Sequence, residues 1–206
     1  MQNPKPHASL ALYEDPEYWN GSKGYRPPGF ADFLLNSYRA AYIATLGSPG
    51  SRILDVGCAF GYLVRRLRWR GYDAWGIEPS AYARAHAPDE VQDYLLPGSA
   101  ADFPTAAGPW DLYVSCGVYE HLTEDEAQQA LALAKQVAPR GLISLAALDP
   151  AKPQHDDDGH DLLRPLDWWQ ERMPPGYTVM DDDTSAWLDL VKTPIPSAVV
   201  FGGSQD

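Results

Sequence analysis

The chain has 206 residues, two of which are cysteines, and carries a formal net charge of −12 at neutral pH. Hydrophobic residues make up 45% and charged residues 21%, so the composition predicts a globular domain that is long enough to bury a full core. The acidic balance disfavours a broad nucleic-acid interface, which needs clustered Lys and Arg, and two cysteines form neither a disulfide framework nor a zinc set.

The sequence predicts neither a membrane span nor a signal peptide. No apolar run approaches the ~20 residues of a transmembrane helix, and residues 1–10 lack the apolar core of a signal peptide. We therefore expect a cytoplasmic protein that contacts neither membrane nor nucleic acid. Arg65, Arg66, Arg68 and Arg70 form a basic cluster on one predicted helix, and we expect them to be its solvated face.

The N-terminal part predicts a polar tail followed by an aromatic segment. Tyr18, Trp19 and Tyr25 lie among glycines and prolines, which is typical of a loop that folds onto another part of the protein. These aromatic side chains either tether the N-terminus to the core or cover a binding pocket, since they bury a large area in both cases. We predict a tail and lid over residues 1–29 and one domain over 30–206, starting with a helix at 30–46.

The most informative stretch is residues 53–61, Ile-Leu-Asp-Val-Gly-Cys-Ala-Phe-Gly. It begins as an apolar strand, and the apolar residues after it recur at helical spacing, so it predicts a strand, a tight loop and a helix. Gly57 and Gly61 permit positive φ and let a ligand approach the backbone. N–H groups at the helix start are expected to be free for a ligand. Asp55 stands near the carboxyl end of the strand, where doubly wound sheets hold their ligands.

A second acid suggests the kind of ligand. The next predicted strand, 73–78, ends in Glu78, and a carboxylate about 20 residues beyond a glycine loop accepts hydrogen bonds from ribose hydroxyls. The dinucleotide loop is G-x-G-x-x-G, whereas this loop, Gly57-x-x-x-Gly61, lacks the middle glycine, which disfavours NAD or FAD. A plain βαβ unit, whose glycines serve only the turn, is the simpler alternative.

The remaining elements alternate between strands and helices. Thr123 and Glu126 form a capping box at the start of a predicted helix. Five strands that alternate with helices predict a parallel, doubly wound sheet with right-handed crossovers, and the last two strands predict an antiparallel hairpin. After residue 78, the predicted elements are a helix at 80–87, strands at 91–95, 110–116 and 142–148, a helix at 166–173, and strands at 177–180 and 198–201.

Residues 53–61, Glu78 and the run Glu120-His121-Leu122 after the fourth strand resemble the class I, small-molecule type of S-adenosylmethionine (SAM)-dependent methyltransferases. The resemblance covers residues 52–148 well. It implies an α/β fold with a Rossmann-like, mostly parallel seven-stranded sheet in the order 3-2-1-4-5-7-6. It also implies SAM as cofactor and methyl transfer to a small molecule, such as a sugar, nucleoside or secondary-metabolite intermediate.

The resemblance also implies which residues bind the cofactor. Ser99 stands where the family usually has an acid beside the adenine, so the backbone N–H of Ala100 becomes the expected adenine contact. The cofactor-binding residues implied in this way are Asp55, Gly57, Cys58, Gly61, Glu78, Pro79, Ser99, Ala100, Cys116 and Gly117, with Tyr18 and Tyr25 from the lid.

Two histidines are candidate general bases. His121 is the first candidate because imidazole titrates near neutral pH, and positioning of the loop before Thr123 is its competing role. His160 is the second candidate. Residues 155–161, which are rich in His and Asp, suit a divalent cation chemically, but their spacing alone makes no coordination shell and we predict no metal. A non-catalytic SAM-binding module and a nucleotide-dependent oxidoreductase are the alternative functions.

Overall fold

The computed structural model describes residues 10–20, 29–146, 162–179 and 196–201. Tyr25, His160 and the acidic loop 155–161 lie outside the described residues, so their predicted roles stay predictions. The described helices are α1 (Leu10–Glu14), α2 (Pro16–Trp19), α3 (Phe30–Leu46), α4 (Tyr62–Trp69), α5 (Ala81–Ala85), α6 (Asp89–Gln92), α7 (Glu124–Val137) and α8 (Leu166–Arg172). The described strands are β1 (Arg52–Val56), β2 (Asp73–Glu78), β3 (Leu95–Pro97), β4 (Leu112–Cys116), β5 (Gly141–Ala146), β6 (Tyr177–Val179) and β7 (Pro196–Phe201).

The strands form one sheet in the order β3-β2-β1-β4-β5-β7-β6. The pairs from β3 to β5 are parallel, and β7 runs antiparallel to both β5 and β6. The predicted α/β class with a parallel sheet is therefore confirmed. Val56 at the end of β1 is in register with Ile77 of β2 and Ser115 of β4. The carboxyl ends of these three strands thus meet at one edge of the sheet.

Helices cover both faces of this sheet. α3 and α4 bury Ile43 and Leu67 on one face, and α7 and α8 bury Leu131 and Trp169 on the other. Consecutive strand residues alternate between these two cores, as the pleat of a strand requires. Three neighbouring pairs that divide in this way are Ile53 and Leu54, Leu112 and Tyr113, and Leu142 and Ile143.

The predicted capping box at the start of α7 is confirmed. The Thr123 N–H donates to Glu126 Oε2 at 2.8 Å, and the Glu126 N–H donates to Thr123 Oγ1 at 3.3 Å. Each side chain satisfies one of the N–H groups that a helix start leaves unpaired. The cap fixes where the chain leaves the turn that follows β4.

The predicted third strand, 91–95, is wrong in its position. The chain forms the short helix α6 after Pro88, and the strand begins only at Leu95. Asp89 and Glu90 lie in the first turn of α6, where carboxylates interact favourably with the helix dipole. Val91 packs into the core from this helix. Its apolar side chain is therefore buried without belonging to a strand, which the sequence pattern did not distinguish.

The arginine cluster on α4 does not form a solvated face. Arg66 is 6% exposed, and its guanidinium lies 3.7 Å from the ring centroid of Phe33. The guanidinium of Arg68 lies 3.3 Å from the ring centroid of Tyr94. Stacking on aromatic faces lets these cations cover apolar surface. The expectation of a solvated face is therefore wrong for Arg66 and Arg68, whereas Arg70 is exposed.

Candidate cofactor site

The loop between β1 and α4 needs its glycines for close packing. Gly57 and Gly61 have φ values of +77° and +69°, in the left-handed region. A Cβ on Gly57 would collide with the side chain of Val118, which follows β4. A Cβ on Gly61 would lie 3.1 Å from the Leu95 side chain. Gly57 therefore lets the loop touch the end of β4, and Gly61 lets α4 pack close to β3.

The N–H groups of this loop are occupied within the protein. Gly57 and Cys58 donate to the carbonyl oxygen of Ile77 at 2.8 and 3.1 Å, and Ala59 donates to Glu78 Oε2 at 2.9 Å. The expectation of free N–H groups concerned the start of α4, which begins at Tyr62, and these hydrogen bonds do not test it. They tie the glycine loop to the end of β2 and fix the position of Glu78.

Glu78 is a buried acid at the end of β2. It is 5% exposed, and its Oε1 accepts a hydrogen bond from the Ser80 N–H at 2.9 Å. Burial raises the pKa of Glu78 to about 7, although the N–H groups of Ser80 and Ala59 and the charge of Arg84 oppose the shift. Each carboxylate oxygen has a second lone pair, so Glu78 can accept further hydrogen bonds from a ligand.

Asp55 lies beneath the loop and faces an arginine that the sequence reasoning missed. Asp55 is 3% exposed. Burial raises the pKa of Asp55 to about 7, the charge of Arg39 opposes the shift, and the charge of Glu78 adds to it. The Nε of Arg39 is buried and has no hydrogen-bond partner among the described residues. Arg39 is the one basic residue in the sequence of α3, which is the signal that could have identified it.

A cavity of about 200 Å³ opens at this edge of the sheet. It combines the carboxyl ends of the parallel strands with residues of the N-terminal segment, as expected for a doubly wound sheet. The residues that line it are Tyr13, Tyr18, Trp19, Gly57, Ala59, Glu78, Pro79, Ser99, Ala100, Cys116, Gly117, Val118, His121, Leu122 and Glu126.

The structure brings most of the predicted site residues to this cavity. Asp55, Cys58 and Gly61 do not line it: Asp55 is buried beneath the loop, the Cys58 thiol packs over Gly76, and Gly61 faces Leu95. The predicted residues that do line the cavity are Tyr18, Gly57, Glu78, Pro79, Ser99, Ala100, Cys116, Gly117 and His121. The residues that line it without having been predicted as cofactor-binding or catalytic residues include Tyr13, Ala59, Val118, Leu122 and Glu126.

The N-terminal segment forms two short helices rather than the predicted loop. Asp15 caps α2, with Pro16 in its first turn. The Ser80 hydroxyl donates to the Tyr13 carbonyl at 2.5 Å. Glu14 accepts hydrogen bonds from the N–H groups at 81 and 82, at 2.8 and 3.2 Å. The segment is thus fastened to the start of α5, just after Glu78.

Aromatic contacts hold the same segment over the glycine loop. Trp19 is 5% exposed, and its ring centroid lies 5.0 Å from that of Phe60. Tyr13 and Tyr18 line the cavity, and the Tyr13 ring meets the His121 ring edge-on at 6.3 Å. The sequence left two roles open for these aromatic residues, tethering the N-terminus and covering a pocket. In the structure, the N-terminal segment does both.

Three further findings apply to the described residues and concern metal ions, thiols and membrane spans. No group of three or more His, Cys, Asp or Glu side chains in this part of the chain is arranged to hold a metal ion. Cys58 and Cys116 are both free thiols. No helix among the described residues is long and apolar enough to cross a membrane.

Residues 53–141 match the family model described as a methyltransferase domain. This match supports a class I SAM-dependent methyltransferase domain in this part of the chain, with SAM as its cofactor. An uncharacterized methyltransferase of Geobacillus sp. (strain WCH70) is 34% identical to the chain over 137 residues, which are 64% of this chain and 63% of the relative.

A second relative, the ubiquinone biosynthesis O-methyltransferase of Pectobacterium atrosepticum, is 28% identical over 153 residues, which are 69% of this chain and 61% of the relative. The chain therefore spans less than two thirds of the length of these two relatives. The crystal structure of magnesium protoporphyrin IX methyltransferase from Synechocystis PCC 6803 superimposes with a TM-score of 0.61 at 16% identity, covering 93% of this chain and 92% of the other. At that identity the two proteins share the fold.

Proposed function

We propose that this protein transfers a methyl group from SAM to a small-molecule acceptor. The observation that carries the proposal is the cavity at the carboxyl ends of β1, β2 and β4, with Glu78 on one side and His121 on the other. The N-terminal segment covers this cavity, which suits a small ligand better than a polymer. The net charge of −12 also disfavours a polyanionic acceptor.

The residues present fit the two ends of the cofactor. Glu78 would accept hydrogen bonds from the ribose hydroxyls, which the lone pairs left by Ser80 and Ala59 permit. Arg39 would bind the carboxylate of the methionine part, because a guanidinium matches a carboxylate in geometry and its buried Nε has no partner in the part of the chain that the structure describes. Asp55 would contact the same part through water, from beneath the loop.

The protein's contribution to the reaction is alignment and exclusion of water. When bound, SAM supplies a methyl group on an already activated sulfonium. The residues therefore have to hold an acceptor in line with it, and such positioning accounts for much of the rate in bimolecular transfers. Tyr13 and Tyr18 would exclude water above the cavity. His121 would take a proton from an acceptor hydroxyl or ammonium group, with His160 as the alternative base.

The names of two related proteins support a small-molecule acceptor. One relative is named a ubiquinone biosynthesis O-methyltransferase, and one structural neighbour is named a magnesium protoporphyrin IX methyltransferase. Both names specify small molecules that differ from each other in structure. The comparison therefore supports a small molecule as the class of acceptor, and the proposal names no particular compound.

The test is a transfer assay with radiolabelled SAM. A panel of alcohols, phenols and amines is compared with RNA and with protein substrates. We expect label in at least one small-molecule class, and slower transfer in His121→Gln at unchanged cofactor affinity. Transfer to RNA or protein alone would contradict the small-molecule proposal. Cofactor binding without any transfer, unchanged in His121 and His160 variants, would favour the non-catalytic alternative.

A further inference from the structure

Glu120 is a buried acid that the site described so far does not use. It lies in the single turn Tyr119–His121 between β4 and α7 and is 4% exposed. Its carbonyl oxygen accepts the Leu162 N–H at 2.9 Å, which holds its backbone. Its side-chain Oε2, by contrast, is buried without a hydrogen-bond partner among the described residues. An unpaired buried carboxylate oxygen costs stability, so this position calls for a functional explanation.

Glu120 does not itself line the cavity, but its carboxylate lies next to Gly117, which does. Its Oε1 is 3.5 Å from the point that a Cβ on Gly117 would occupy, and Gly117 lines the cavity. Burial raises the pKa of the neighbouring Cys116 thiol to about 11, and the negative charge of Glu120 adds to that rise. Cys116 and His121 also line the cavity. The absence of a side chain at Gly117 leaves a small ligand group room to approach the carboxylate.

Glu120 and Glu78 serve different parts of the cavity. Glu78 ends β2, whereas Glu120 follows β4, and these two strands flank β1 on opposite sides. Strand ends that are two positions apart in a sheet are separated by about 10 Å. An acid on the β4 side is therefore too far away to share the ribose with Glu78, and it stands beside His121.

We propose that Glu120 binds a protonated amine of the acceptor. This inference rests on the proposed function, because it names the chemistry of the second ligand in the same cavity. An ionised carboxylate only accepts hydrogen bonds, and its burial is offset when a cation stands within hydrogen-bond distance. A neutral hydroxyl donates one hydrogen bond but leaves the charge unbalanced. An ammonium group supplies both a hydrogen-bond donor and a balancing positive charge. The net charge of −12 also attracts amines to the protein.

The test uses two cofactor analogues and needs no acceptor. S-adenosylhomocysteine (SAH) has a neutral thioether sulfur, whereas sinefungin carries an ammonium group where the transferable methyl would stand. The dissociation constants of both compounds are measured by calorimetry, with EDTA present, in wild type, Glu120→Gln and Glu124→Gln. Glu124 is an exposed acid paired with Arg172, so its variant makes the same charge change away from the cavity.

We expect Glu120→Gln to keep the affinity for SAH and to lower that for sinefungin by about tenfold, the usual size of a lost charge-assisted hydrogen bond. Glu124→Gln is expected to match wild type with both compounds. A ratio of the two constants that is unchanged in Glu120→Gln would overturn the inference alone. Loss of SAH affinity in Glu120→Gln would assign the residue to the cofactor and would also overturn it. A wild-type protein that binds neither compound would contradict the proposed function itself.

Discussion

Two buried carboxyl groups at the proposed cofactor site have pKa values that are raised towards neutral pH. Burial raises the pKa of both Asp55 and Glu78 to about 7, and the charge of Glu78 contributes to the shift of Asp55. Ribose hydroxyls donate their hydrogen bonds best to an ionised carboxylate. The protonated form that prevails below the pKa therefore offers a weaker site than the ionised form above it.

We expect the affinity for SAH to rise as the pH increases from about 6 to about 8, because binding favours the ionised acids and releases protons. Calorimetric titration in two buffers with different ionisation enthalpies measures this release directly. The isosteric variant Glu78→Gln is expected to bind more weakly and to release fewer protons. A proton release equal to that of wild type would contradict the role assigned to Glu78.

Gly57 is expected to be intolerant of any side chain. In Gly57→Ala the new Cβ would collide with Val118, and the residue would keep a φ of +77° that alanine rarely adopts. We expect a loss of about 2–4 kcal/mol in the free energy of unfolding, measured with urea. Gly50→Ala is the matched control, since Gly50 has a φ of +82° and no heavy atom within 4 Å of the added Cβ.

The control separates strain from collision. Gly50→Ala is expected to cost about 1 kcal/mol, which is the backbone contribution alone. Adding Val118→Ala to Gly57→Ala is expected to recover part of the larger loss. If the two glycine variants are equally destabilised, the close approach of the loop to β4 does not determine the residue at position 57.

At the scale of elements, the N-terminal segment Leu10–Trp19 is fastened by few hydrogen bonds and can be loosened without unfolding the sheet. We expect Glu14→Ala to leave the N–H groups at 81 and 82 without their side-chain acceptor. SAH would then dissociate several-fold faster, because an exposed hydrogen bond contributes about 0.5–1.5 kcal/mol. Stopped-flow displacement measures the rate. Glu17→Ala removes an acid from the same segment but leaves the hydrogen bonds of Glu14 in place, so we expect it to release SAH at the wild-type rate.

Local patterns in the sequence were enough to predict most of the elements. The apolar run of β1, the alternation of strands with helices, and the Thr123–Glu126 capping box each depend on neighbours in the chain. The third strand was misplaced because Val91 is buried from a helix rather than from a strand. The sequence shows that a residue is apolar, but it does not show whether a helix or a strand buries that residue in the core.

Features that depend on contacts between distant segments could not be predicted from the sequence. Arg39 belongs to α3, and its effect on Asp55 depends on how α3 lies against the sheet. The stacking of Arg66 on Phe33 depends on the same packing. The loop glycines were recognised, but the collision that would follow a Cβ on Gly57 required the position of Val118.

At the scale of the whole molecule, we propose that the sheet edge holds the cofactor and that the surrounding segments hold the acceptor. The carboxyl ends of β1, β2 and β4 lie side by side in the sheet. The glycine loop follows β1, Glu78 ends β2, and the turn with Glu120 and His121 follows β4. The names of two proteins that resemble this chain specify different acceptors. We therefore expect the specificity of this protein to lie in the N-terminal segment and in the turn after β4.

The measurement that tests the account most directly is calorimetric titration of SAH into wild type, Asp55→Ala and Glu78→Ala. We expect micromolar binding by wild type and a loss of at least tenfold in each variant. Glu90→Ala, which removes an acid from the exposed side of α6, is expected to bind like wild type. Equal affinity in wild type and Glu78→Ala, or no binding by wild type, would contradict the claim that this edge of the sheet holds the cofactor.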